Sequence, residues 1–168
     1  SKGLGRASAE ALAREGARVA IAARGREALQ EAARSMGALA VVADMAREQD
    51  RQRLVARVQE ELGPVEILVN NAGGPPPGPF QDHDLQAWRD AMELNLVSAV
   101  HTTRLVLPDM LDRGRGRIVN IVSIAALESI DDLILSNASR PAVLGWARAL
   151  ARQEIGRASC RERVCHRV

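Results

Sequence analysis

VEILVNNAGG, Val65 to Gly74, is an apolar, β-branched run that breaks abruptly into two asparagines and a glycine pair. A short apolar run bounded by turn residues reads as a buried strand, with the chain reversing at its carboxyl end. On its N-terminal side, a helical pattern from about Arg47 to Leu62 ends at Gly63-Pro64. Before that come the strand ALAVVAD (Ala38–Asp44), the helix REALQEAARSMG (Arg26–Gly37), the strand ARVAIAA (Ala17–Ala23) and a helix over Ala7–Glu15 with Gly16 as its C-cap. After it come the rigid loop PPPGPF (Pro75–Phe80), a long amphipathic helix from about Leu85 to Leu111, and the strand GRIVNIVS (Gly116–Ser123). A last helix opens with LSNASRPAVLGWARAL (Leu135–Leu150), where Pro141 is tolerated if it lies in the first turn. Ser136, Asn137 and Ser139 are placed there to cap free backbone N–H groups, and Val143, Leu144, Ala147, Leu150 and Ala151 fall at helical spacing. Continuously apolar strands separated by helices indicate a parallel sheet buried on both faces, a doubly wound α/β fold.

Composition narrows the function. The 168 residues, 46% hydrophobic and 26% charged, suffice for one globular domain with a sizeable core. A net charge of +2 is spread along the chain, and Phe80, Trp88 and Trp146 are the only aromatics, so neither a basic stripe nor a stacking platform for nucleic acid is present. No apolar run approaches the roughly 18 residues of a membrane span. The expected setting is cytoplasmic, with a small molecule as substrate. Lys2 is the sole lysine, and there is no tyrosine.

Both ends read as cut. SKGLG opens on a glycine turn with no strand before it, and IGRASCRERV (Ile155–Val164) carries four charges with no apolar face. That segment resembles the translation of a DNA-sequencing adapter, so 155–168 is set apart from 1–154 as a non-native tail. Cys160, Cys165 and His166 go with it, and their spacing fits no standard zinc site, so no metal is expected.

In doubly wound sheets ligands bind beyond the carboxyl ends of the strands. Gly3 and Gly5 open the first helix, whose free N–H groups suit a pyrophosphate; a tight turn without ligand is the alternative. Arg24, directly after a strand, stands where an acidic residue would hold a ribose 2′-hydroxyl, and its guanidinium favours a 2′-phosphate instead unless it is simply a solvated surface arginine. Asp44 ends another strand and is equally placed to cap a helix.

With Asn70, Asn71, Ala72 and Gly73 the chain resembles the short-chain dehydrogenase/reductase family, whose Asn-Asn-Ala-Gly motif they match. SKGLG keeps the last two glycines of the family's TGxxxGxG turn, ELNLVSAVHTTRLVLPDM resembles its long helix, and GRIVNIVS its strand ending in the catalytic serine. The resemblance covers Ser1 to about Glu154 and implies a partial, Rossmann-like NAD(P)-binding domain, an active-site Asn95 and a catalytic Ser123. By the same resemblance Lys2 and Arg24 imply NADP(H) over NAD(H), Asp44 contacts the adenine, and the long helix, with Leu94, Val97, Val100 and Leu105, is one the family uses to dimerise; an ordinary core-facing helix would show the same spacing.

The family's Tyr-x-x-x-Lys pair begins thirteen residues after the serine, and here those positions hold Ser136 and Arg140. Arg140 sits in "ASR" where the family has "ASK", and GWARALA continues as its helix does. In the family the phenol gives its proton to the carbonyl oxygen while the lysine lowers its pKa from about 10. A serine hydroxyl is a far weaker acid. Ser123, Ser136 and Asn95 can still polarise a carbonyl, and Arg140 can bind ribose or an anionic substrate group; helix capping alone is the bland reading of Ser136 and Asn137.

Three functions are consistent with these residues: an NADP(H)-dependent oxidoreductase with an altered, weak site; a nucleotide-binding protein of the same fold without catalysis; and a lyase like the halohydrin dehalogenases, which carry Arg for Lys but keep the Tyr and lose the glycines, the reverse of this chain. GGPPPGPF (Gly73–Phe80) is either a shaped lip over a substrate site or a plain surface loop, and His83 and His101 read as surface or packing residues. The fragment, with its missing flanking segments, is expected to be poorly soluble and to bind no measurable cofactor, and the intact protein to be a homo-oligomer.

Overall fold

The β-branched runs become strands shorter than the apolar stretches that contain them, because each strand keeps only the residues that pair. A computed structural model describes residues 3–155 in two compact units, one through Val65 and one from Glu66. No composition break marks the division, which falls inside VEILVNNAGG.

In the first unit, helix α1 (Gly3–Arg14) leads into strand β1 (Ala20–Ala23), helix α2 (Arg26–Met36), strand β2 (Leu39–Val42) and helix α3 (Glu48–Leu62). β1 and β2 pair in parallel, Ala20 opposite Leu39 through Ala23 opposite Val42, with α2 as the crossover. Leu29, Ala32 and Ala33 of α2 are buried with Val41 and Ala43. Gly37, with φ +65°, ends α2 in the left-handed conformation that a glycine adopts without steric cost. The first helix starts at Gly3 rather than Ala7, so the glycine pair belongs to its opening turn.

In the second unit, strand β3 (Ile67–Asn70) is followed by the proline loop, a 3₁₀ turn at Phe80–Asp82 and helix α4 (Leu85–Met92). Asp84 caps α4 by accepting from the Ala87 amide at 2.8 Å. A π-helical turn, Glu93–Val97, separates α4 from helix α5 (Ser98–Asp112). The single helix expected over Leu85–Leu111 is therefore interrupted. A π turn inserts a residue and rotates the helix beyond it, so the inward face of α5 carries Ala99, Thr102, Thr103, Val106 and Met110, while Val97 is exposed and Leu94, Val100 and Leu105 are half-buried. Strand β4 (Arg117–Asn120) pairs in parallel with β3, Ile67 opposite Arg117 through Asn70 opposite Asn120. A Cβ on Gly116, just before it, would lie 2.6 Å from Met110, so glycine is required by this close approach.

A 3₁₀ turn at Ile124–Ala126 leads to helix α6 (Ile134–Ile155). Pro141 lies about two turns inside α6, not in its first turn. The helix extends upstream because its entrance is tied down elsewhere: the Asn137 side chain donates to the Ile130 carbonyl at 2.8 Å and accepts from the Ile130 amide at 3.1 Å. Ser139 likewise donates to the Leu135 carbonyl at 2.8 Å, so neither residue caps the helix. The α/β, Rossmann-like class read from the sequence holds in both units, each a parallel strand pair joined through helices.

Candidate active site

The buried stripe of α6 runs through Leu135, Ser136, Ser139, Arg140, Val143, Leu144 and Ala147. It packs against the 3₁₀ turn after β4 and against the π turn. Of the apolar residues expected on this face Val143, Leu144 and Ala147 are buried, while Leu150 and Ala151 are only half-buried; Ser136, Ser139 and Arg140 face inward as well, at the start of the helix.

Ser123 precedes the 3₁₀ turn and its Oγ accepts from the Ala125 amide at 3.2 Å, which fixes the hydroxyl at the strand's exit. Ser136 is 7% exposed and its side chain makes no hydrogen bond among the described residues. Arg140 is equally buried. Its Nη2 donates to the carbonyls of Ala72, at 3.3 Å, and Gly73, at 3.1 Å, while Nε is sealed from solvent with no partner among the described residues. Burial alone pushes this guanidinium below the usual arginine range, since desolvation penalises the charged form. Among the described residues no carboxylate pairs with it.

Asn95 lies in the π turn, buried, and its Nδ2 donates to Ser139 Oγ at 3.2 Å. Its Oδ1 is buried with no partner among the described residues. π turns concentrate at functional sites because they re-aim a side chain that a regular helix would place elsewhere. Asn70 turns inward: Nδ2 donates to Asn120 Oδ1 at 2.9 Å and to Thr103 Oγ1 at 3.4 Å. Asn120 was not singled out from the sequence. Its signal was a lone amide at the end of the apolar run of GRIVNIVS, in the position that parallel register sets opposite Asn70.

The second unit thus brings Asn70, Ala72, Gly73, Asn95 and Arg140 into three bonded sets, Asn70 with Asn120 and Thr103, Arg140 with the Ala72 and Gly73 carbonyls, and Asn95 with Ser139 of α6. No hydrogen bond links Ser123 to Ser136 or Arg140 among the described residues. Asn71 follows Asn70 as an exposed residue of the turn. Gly73 and Gly74 have no positive φ and no protein atom within 4 Å of where a Cβ would stand, so the chain's own packing does not require glycine there. Open space beside two glycines fits the close approach of a ligand. Gly78, by contrast, has φ +148° and a Cβ there would meet the His83 ring at 3.1 Å. Its amide donates to the Asp132 carbonyl at 2.6 Å, which ties the proline loop to the segment before α6. His83 Nε2 lies 3.3 Å from the Gly78 carbonyl.

In the first unit Gly3 heads α1 with φ +63°, and the first turn carries no acidic residue to neutralise the positive helix end. Gly5 lies within that turn. Arg24 is exposed just past β1 and makes no hydrogen bond or ion pair among the described residues. Asp44 is not a helix cap, because α3 begins from Arg47. Its Oδ1 accepts from the Ala46 amide at 3.0 Å, and its own amide donates to Asp50 Oδ2 at 2.8 Å, the bond that most holds Asp50 below the usual carboxylate range. Lys2 and the tail beyond Ile155 lie outside the described residues. No metal-binding cluster and no helix long and apolar enough to cross a membrane occur among the described residues.

A family model, short chain dehydrogenase, matches residues 1–158. The ketoacyl reductase HetN of Nostoc sp. is 34% identical over 161 residues, 93% of this chain and 56% of that protein. The 3-oxoacyl-[acyl-carrier-protein] reductase of Bos taurus is 34% identical over 155 residues, 91% of this chain and 65% of that protein, so the chain spans less than two thirds of either relative. Among solved structures, an actinorhodin polyketide ketoreductase with NADPH superposes with a TM-score of 0.90 at 34% identity, covering 98% of this chain and 64% of the other. The L-sorbose reductase of Gluconobacter frateurii, complexed with NADPH and L-sorbose, gives 0.87 at 31% identity, covering 97% and 62%.

Proposed function

Because this chain belongs to the short chain dehydrogenase family, we propose that it is an NADP(H)-dependent oxidoreductase for a carbonyl or alcohol substrate, with a catalytic site altered at Ser136 and Arg140. The cofactor residues of this reading are Lys2, Gly3, Gly5, Arg24, Asp44, Asn70, Asn71, Ala72 and Gly73. Asn70 acts indirectly, since its amide is turned toward Asn120. When bound, the nicotinamide supplies or accepts the hydride. Ser123 holds the substrate oxygen through its hydroxyl, and Asn95 and Ser136 add polar groups around it, an arrangement that stabilises developing negative charge. Ser136 does not replace a phenol as proton donor, so turnover by this site is slow.

The observation that carries the reading is the pairing of an open glycine turn after β3 with Ser123 at the exit of the adjacent β4. A nucleotide-binding protein without catalysis is the second reading. It is favoured by Arg140, whose Nη2 donates to backbone carbonyls rather than to Ser136.

In the completed protein NADPH should bind at least about tenfold tighter than NADH, the worth of one charge-assisted hydrogen bond to the 2′-phosphate. Nicotinamide fluorescence titration measures both affinities. Arg24→Asp should abolish or invert the preference, and equal affinities in the unaltered protein would remove the NADP(H) assignment.

A further inference from the structure

We infer that Arg140 is a positioning residue that sets the Ala72–Gly73 backbone for cofactor, a role that rests on the cofactor reading above. The guanidinium is buried, has no carboxylate partner among the described residues, and spends Nη2 on two successive carbonyls some 67 residues away in sequence. Keeping a charge out of water with only neutral partners is costly unless its hydrogen bonds are used. The bonds that it makes converge on one turn.

The glycines of that turn do not fix its conformation themselves. Gly73 and Gly74 have neither a positive φ nor a neighbouring protein atom within reach of a Cβ, so neither backbone preference nor packing selects their conformation. At its start the turn is anchored by Asn70, whose amide bonds Asn120 and Thr103. At its end Arg140 of α6 is the anchor. Two side-chain clasps therefore hold the Asn-Asn-Ala-Gly segment, one from β4 and α5, the other from the helix whose first turns carry Ser136. Arg140 in this arrangement orders the turn rather than lowering the pKa of a proton donor.

The test uses the whole chain with Arg140→Met, Arg140→Gln and Arg140→Lys. Hydrogen exchange of the ligand-free protein is read on peptides spanning residues 70–80, and NADPH affinity by fluorescence titration. Arg140→Met removes the donors while filling the space, and replacing a buried charge by an apolar chain is often tolerated. Exchange in that segment should quicken about tenfold and NADPH binding weaken about ten- to a hundredfold, the range of hydrogen bonds made by a charged group. Arg140→Lys, which keeps a cationic donor, should restore both. If Arg140→Met does not fold, Arg140→Gln carries the same expectation. Unchanged exchange in the Met or Gln variant overturns the clasp, and unchanged NADPH affinity despite a loosened turn overturns the positioning role. A wild-type protein that binds neither NADPH nor NADH, with exchange behaving as expected, overturns the cofactor reading and leaves the clasp standing.

Discussion

Ser136 and Arg140 occupy one face of α6 with their side chains nearly out of solvent, so whatever they do is done inside the fold. The proposed substitution rests on the chain holding no tyrosine and only one lysine, and on the count from Ser123 that lands on Ser136 and Arg140. Their partners were not legible. A guanidinium can meet a phosphate, a ribose or a carbonyl, and which one it meets depends on a turn almost seventy residues away. The chemistry of the pair gives a direct expectation. Ser136→Tyr with Arg140→Lys supplies a phenol whose proton an adjacent ammonium makes available, and positioned general acids are worth about 10² to 10⁴ in rate. Reduction of a ketone and oxoacyl ester panel with NADPH should therefore rise by about an order of magnitude or more in the double variant, while the unaltered protein turns over little. Fast reduction by the unaltered protein would show that another group delivers the proton.

Among the elements, the order of helices and strands could be read from periodicity because each apolar run is short and each helix has its own stop signal, Gly37 after α2 and Gly63 after α3. Two elements departed from expectation for a shared reason, that tertiary contacts outweighed local preference. The π turn at Glu93–Val97 buries Asn95 against Ser139, and helix α6 runs through Pro141 because Asn137 and Arg140 pin its entrance to Ile130 and to the Ala72–Gly73 turn. Pro141 has no N–H for the Asn137 carbonyl and its ring crowds the preceding turn. An interior helical proline costs about 3 kcal/mol relative to alanine, partly offset by about 0.4–1 kcal/mol from the stiffer unfolded chain. Pro141→Ala should raise stability by about 2–2.6 kcal/mol, seen as a higher urea midpoint at unchanged slope. A lower midpoint would mean that Pro141 itself fits α6 to the turns beneath it.

For the whole molecule, the α/β class and the family were legible because several motifs recur in one order along the chain, and a TM-score of 0.90 over 98% of it agrees. The division at Val65 was not legible, since it falls within an apolar run with no linker composition. By their names the relatives and neighbours act on ketoacyl, polyketide and sugar substrates, and the chain spans 56–65% of the relatives compared. Cofactor binding, in contrast, can be read from global stability. A ligand that binds only the folded state stabilises it by about 2.7 kcal/mol at a hundred times its Kd. For a chain of this size 1 kcal/mol moves Tm by about 2–4 °C, so saturating NADPH should raise Tm by about 5–11 °C. NADH at the same concentration should give a smaller rise, and Arg24→Asp should shrink the NADPH effect without lowering the Tm of the ligand-free protein, because Arg24 is exposed and unpaired among the described residues. An unchanged Tm with either cofactor, at concentrations that saturate ordinary dehydrogenases, would mean that the glycine turns hold no dinucleotide.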